Sequence, residues 1–218
     1  MIRKTLLSLG FAPFLLTCAA GPSAALINGP TTPLGTFCEV TSILKQSEPE
    51  FHQLVMPLSD LIAKGEGDYN SVNRGYAGDT PGGIQRLTGL TFENYTVGQV
   101  MDMQRRSLYA VGRYQFIPVT LRFAVRMSDV SELDMFTPET QDKLFAALIL
   151  YKRPAVGAYI RGNHNFQGWA LNELAKEWAS VEYRYGRGYY DHIGGNRAHI
   201  TRAEAASALE SVRKAYTG

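Results

Sequence analysis

Cysteine is almost missing from this chain: 218 residues carry only Cys18 and Cys38. Once the leader described below is removed, Cys38 stands alone, so no internal disulfide can form and stability has to come from a buried apolar core. Histidine is nearly as scarce. His52, His164, His192 and His199 show neither an HExxH pair nor another recognised ligand spacing, and the last two flank a glycine-rich turn. No GxSxG supports a serine nucleophile, Cys38 has no partnering motif, and there is neither a phosphate-cradling loop nor a dinucleotide fingerprint. These absences argue against metal, nucleotide and acyl-enzyme chemistry, and no cofactor is expected.

Long apolar runs are also lacking. The strongest, Leu6 to Leu16, is interrupted by Ser8, Gly10 and Pro13 and is short for a bilayer crossing. Arg3 and Lys4 precede it and Ser23-Ala24-Ala25 follows it as a small-residue cleavage site. That is the layout of a secretory signal peptide. Residues 1–25 are therefore read as a cleavable signal, and the protein as exported to the periplasm or secreted, with no transmembrane segment in the mature chain. Lipidation at Cys18 is the lesser alternative. Losing Arg3 and Lys4 lowers the basic count from 22 to 20, against 20 acidic residues. A neutral chain has no bulk attraction to nucleic acid or to an anionic surface, and no nucleic-acid partner is expected.

What is present suits a globular domain. The composition is 45% hydrophobic, and 12 tyrosines offer stacking surface. Residues 26–50, with Gly29, Pro30, Pro33 and Gly35, read as an extended lead-in, leaving 51–218 as the folded domain. Helix signals recur through it. Leu54, Leu58, Leu61 and Ile62 predict a helix over roughly 50–64, with Pro57 marking a kink or the true start. Thr96 with Gln99 is a capping box for a helix to about Arg106, and Pro118 suits the first position of a helix over 118–127. Thr137-Pro138-Glu139 opens a helix to about Lys152 with Leu144, Phe145, Leu148 and Ile149 inward. Leu171, Leu174, Ala175 and Trp178 mark another, and Thr201 with Glu204 caps a last one to about Tyr216. Residues 67–95, rich in Gly, Asn, Asp and Thr, predict turns and a small hairpin. The fold class is mainly α, with a small β or irregular lobe after Glu66.

Glu66 stands between Gly65 and Gly67, four residues beyond Ile62. The next helical turn carries it close to the apolar stripe, and the glycines should end the helix there. A carboxyl shielded at the rim of a core has a raised pKa and can serve as a general acid near neutral pH. The plain alternative is an exposed glutamate in a glycine-rich helix cap. A second informative stretch is Ala110 to Leu121, AVGRYQFIPVTL, where Gly112 permits close backbone approach before Tyr114, Gln115 and the Pro118 helix start.

Four stretches in order carry a resemblance: Glu66-Gly67; Gly112-Arg113-Tyr114-Gln115; Phe136-Thr137-Pro138-Glu139-Thr140-Gln141-Asp142; and Trp178-Ala179-Ser180. Together they resemble the lysozyme-like superfamily, most closely its phage lambda endolysin type. The second stretch, continued to Pro118 and Thr120, also looks like the G-L-M-Q-x-x-P-x-T signature of bacterial lytic transglycosylases. The resemblance covers about residues 52–216, without an alignment for the 67–95 lobe. It implies a helical body and a small β-containing lobe with a cleft between them. The implied reaction is cleavage of the β-1,4 bond between N-acetylmuramic acid and N-acetylglucosamine in peptidoglycan glycan strands. Glu66 carries over as the general acid, and Gly112, Tyr114 and Gln115 as substrate-binding residues, with Tyr76, Tyr109, Tyr183 and Tyr185 as further stacking candidates.

The partner carboxylate decides the mechanism. Glycoside hydrolysis needs two carboxyl groups flanking the bond. Asp68 is two residues from Glu66 and should point elsewhere, and Glu93 is a remote candidate. Asp79 resembles the Asp of the phage lysozyme D-T pair, yet lies 13 residues on, farther than that pattern. A lytic transglycosylase needs one carboxylate, acting as acid and then as base, and is the favoured reading. A muramidase using Asp79 is the alternative, and a non-catalytic cell-wall binding module is a third. Service to an envelope-spanning secretion or flagellar apparatus is compatible with an export signal and a small enzyme.

Overall fold

The computed structural model describes residues 50–193 and 196–218, all within the unit Gln46–Gly218. The expected signal peptide, Cys18, Cys38 and nearly all of the expected lead-in lie outside the described residues. The architecture is mainly helical. In chain order it contains α1 (Phe51–Leu54), α2 (Met56–Glu66), β1 (Val72–Asn73), α3 (Gly83–Thr88), α4 (Val97–Arg106), β2 (Ala110–Val111) and α5 (Pro118–Met127). There follow α6 (Pro138–Ala147), α7 (Pro154–Ile160), α8 (Gln167–Glu177), β3 (Glu182–Arg184), β4 (Arg187–Gly188) and α9 (Arg202–Thr217). Among the described residues no helix is long and apolar enough to cross a membrane.

Most helix starts sit where local chemistry put them. Thr96 and Gln99 satisfy each other's backbone N–H at the start of α4, and Thr201 and Glu204 do the same for α9. Thr137 accepts from the Thr140 N–H ahead of α6, and Pro118 opens α5. Pro57 marks a true start: the chain breaks at Val55 between α1 and α2.

Two regions differ from expectation. The helix predicted to run to Lys152 is α-helical only to Ala147, and Leu148–Lys152 widen into a π turn. Its wider ring is closed by the Arg153 N–H on the Leu148 carbonyl at 2.8 Å, just before Pro154, which cannot extend the ladder. The 67–95 segment contains α3, anchored by buried Ile84, as well as turns. In place of a hairpin between two strands of its own, it pairs with a strand beyond it and carries a single internal bridge. Val72 and Asn73 pair antiparallel with Val111 and Ala110, and Asn73 bridges to Asp79 on its other side.

The core joins these parts. Leu58 and Ile62 of α2, Phe92, Phe116, Phe136, Leu144, Phe145, Leu174, Leu209 and Val212 are completely buried, each contributing about 1.5–3 kcal/mol of hydrophobic stabilisation. Ala205, Leu209 and Val212, spaced by four and three, form the inner stripe of α9.

Candidate active site at the end of α2

Glu66 is the last residue of α2, where the helix ends and the chain turns towards β1. Its inner neighbours Leu58, Leu61 and Ile62 bury that face, so the final turn delivers the carboxyl to the edge of the core. The residue keeps partial exposure, while burial of the carboxyl itself is the main cause raising its pKa above the ordinary glutamate value. The negative charge of Asp79 pushes the same way; hydrogen bonds from Ser180 and the charge of His199 oppose it. The negative end of the α2 dipole also favours the protonated form. The exposed-cap alternative therefore does not describe this side chain.

The two carboxyl oxygens are unequal. Oε1 accepts from Ser180 Oγ at 2.6 Å and from the Ser180 backbone N–H at 3.3 Å. Oε2 takes no hydrogen bond among the described residues, and it is not one of the buried polar atoms left without a partner.

The turn 112–116 lies beside this corner. Gln115 adopts a left-handed φ of 48°, rare for a residue with a side chain, and donates through Nε2 to the Gly112 carbonyl at 2.9 Å. That nitrogen is 3.9 Å from where a Cβ on Gly67 would lie, so Gln115 faces the segment following Glu66. Asp79 is exposed and held at Oδ1 by the Asn73 amide at 2.8 Å. Asp68 closes its own turn, accepting from the Asn70 N–H at 2.8 Å and from Ser71 Oγ at 3.1 Å. Glu93 is exposed in the short Phe92–Asn94 turn.

Two of the residues expected to bind substrate are turned towards the protein interior. Tyr114 is 2% exposed, so its ring is closed to a ligand. It packs on Phe145 at 4.5 Å, Phe145 packs on Trp178 at 5.0 Å, and the Tyr114 hydroxyl donates to Asp142. Gly112 does permit a close approach, but by the protein: with φ 74°, a Cβ there would meet Gln141 Oε1 at 2.3 Å. Tyr76 and Tyr185 are almost wholly exposed and Tyr109 about half, whereas Tyr183 packs edge-on against Tyr189 at 5.2 Å.

The quoted stretches bind one another. Gln141 Oε1 accepts from the Arg113 N–H at 2.9 Å, and its amide donates to the Tyr69 carbonyl at 3.0 Å. Asp142 accepts from Tyr114 and from Tyr69 at 3.1 Å, and its pKa is raised by burial against those bonds. Arg113 donates to Tyr69 Oη at 2.7 Å and pairs with Asp60 on α2. Trp178 Nε1 donates to the Tyr114 carbonyl at 3.3 Å. All four stretches thus meet in one place, with Glu66, Gln115 and Ser180 at its outer edge. Ser180 was visible in the sequence only as the end of Trp178-Ala179-Ser180, without a role.

A hollow of about 310 Å³, lined by Asp129, Asp134, Glu139 and Lys143 among others, includes none of these residues. Among the described residues no group of three or more His, Cys, Asp or Glu is placed to hold a metal ion. No family model, curated protein or solved structure matches this chain.

Proposed function

We propose that the chain is a peptidoglycan glycosidase of the lysozyme-like kind, working as a lytic transglycosylase with Glu66 as acid and then base. The observation that carries this reading is the divided carboxyl at the end of α2: withdrawn from bulk water, raised in pKa, one oxygen held by Ser180 and the other without a hydrogen bond among the described residues. A general acid needs a retained proton and an oxygen not already committed to the protein.

In this mechanism Oε2 protonates the bridging oxygen between N-acetylmuramic acid and N-acetylglucosamine, and the C1–O bond breaks. The muramic acid's own 6-hydroxyl then attacks C1 and gives its proton to the Glu66 carboxylate. The acid is restored and a 1,6-anhydro end is formed. Partly exposed Gln115 is suited to bind an acetamido group. The cleft between helical body and small lobe, and export to the wall compartment, belong to the same proposal.

The muramidase alternative has one observation in its favour: the charge of Asp79 reaches Glu66, as a partner carboxylate's would. Digestion of purified sacculi with product mass spectrometry separates the two. Anhydro-muramyl ends support transglycosylation, and reducing ends support hydrolysis with Asp79. Undiminished release by Glu66→Gln would remove Glu66 from the chemistry. Sacculus binding without any release would leave a wall-binding module. If deletion of the gene leaves every envelope-spanning assembly intact, service to such machinery is excluded.

A further inference from the structure

The geometry points to Ser180 as the positioning residue that assigns the Glu66 proton to Oε2, the oxygen with no hydrogen bond among the described residues; this rests on the glycosidase reading for its use, though not for its chemistry. Ser180 supplies two donors, hydroxyl and backbone N–H, and both go to Oε1. An oxygen receiving two donors is a poor place for a proton, because binding one there would set hydrogen against hydrogen. The proton therefore resides on Oε2, which has no donor to repel it.

Three features show that this contact is built into the fold. Ser180 is 4% exposed, and its carbonyl accepts from the His199 and Ile200 N–H groups at 2.8 and 2.9 Å. The bridge between Val181 and Ile200 holds the same stretch in place one residue further. Opposite it, a Cβ on Gly65 would lie 2.4 Å from Ser180 Cβ and 2.8 Å from its Oγ. Position 65 must lack a side chain for Ser180 to reach Glu66, which gives the first glycine of Gly65-Glu66-Gly67 a purpose beyond ending a helix. The charged groups acting on the carboxyl are Asp79 from the arm after β1 and His199 from the segment before α9. The 112–116 turn adds neutral Gln115, its Arg113 being engaged by Asp60 and Tyr69. Ser180 is the only residue hydrogen-bonded to the carboxyl among the described residues.

The test is a carbon-13 carboxyl NMR titration of Glu66 in the intact protein and in Ser180→Ala, the resonance being assigned by its loss in Glu66→Gln. Donors to Oε1 favour the carboxylate, so Ser180→Ala should titrate at a higher pH than the wild type. In parallel, the alkaline limb of muropeptide release should move up and its plateau fall roughly tenfold, the cost of a charge-assisted hydrogen bond. A merely structural role would lower the plateau without moving the limb. Ser180→Cys keeps the volume with a weak donor and should repeat the shift, which also serves if the alanine variant loses its fold. A folded variant whose Glu66 titrates as in the wild type overturns the inference. A clear shift in a protein that cleaves no glycan would uphold the role of Ser180 and sink the glycosidase reading.

Discussion

Two glutamates, each the last residue of its helix, are both withdrawn from water, and their surroundings could hardly differ more. Glu177, at the end of α8, has a side chain only 4% exposed, with Lys152 Nζ at 2.6 Å and Arg153 Nε at 2.7 Å. Arg153 also reaches Glu173 at 3.0 Å, so the π turn after α6 is tied to α8 by an ion network. Glu66 has neutral donors on one oxygen and a like charge within range. Burial matched with cations makes a structural anchor. Burial with neutral donors and a like charge, offset only in part by His199, favours the protonated carboxyl.

The largest break in this contrast is Glu66→Gln, expected to lower muropeptide release from sacculi by about 10³-fold, within the range for loss of a general acid, while the protein stays folded. Next is Glu177→Ala, which removes the carboxylate partner of Lys152 and one of the two carboxylate partners of Arg153. It should destabilise by about 3 kcal/mol, reduced somewhat by their partial exposure, and lower Tm by roughly 6–12 °C. Release at low temperature should survive, because the Glu177 side chain bonds Lys152 and Arg153 and no residue of the Glu66 site. Equal loss of activity per folded molecule would merge the two regions.

A smaller effect sharpens the comparison through pH. The Glu66 pKa is raised on folding, so its contribution to stability is fully present below the ordinary carboxyl range and is lost as pH rises through the folded value. Glu66→Gln should therefore match the wild type near pH 3 and exceed it in Tm at neutral and alkaline pH. Identical curves across that span would mean that the carboxyl is not held protonated. The smallest expected change is Asp79→Asn. Removing the like charge should move the alkaline limb of release to lower pH, with activity within about fivefold of wild type. A loss of about 10²-fold or more would instead favour hydrolysis through Asp79.

Neighbouring residues show how far the sequence could be read. Capping boxes at Thr96 and Thr201, the proline starts of α5 and α6 and the inner stripe of α9 were all legible, because each depends on residues within a turn or two. The π turn was not, since its form depends on joining α7 and on partners on α8. At Tyr114 and Gln115 the motif was visible but the division of labour was not. The positive φ at Gln115 throws its side chain outward while Tyr114 goes into the core. Gly112 was recognised as a place of close approach, but that its visitor is Gln141 required the positions of residues some thirty places along.

By itself the sequence determined the helical class, most helix starts and the placing of a glutamate at a helix end beside an apolar stripe, because these follow from short-range hydrogen bonding and periodicity. Only the tertiary structure decided what that glutamate could become. Desolvation, the grip of Ser180 on one oxygen and the reach of Asp79 and His199 are through-space effects, and Ser180 and His199 come from segments far from Glu66 along the chain.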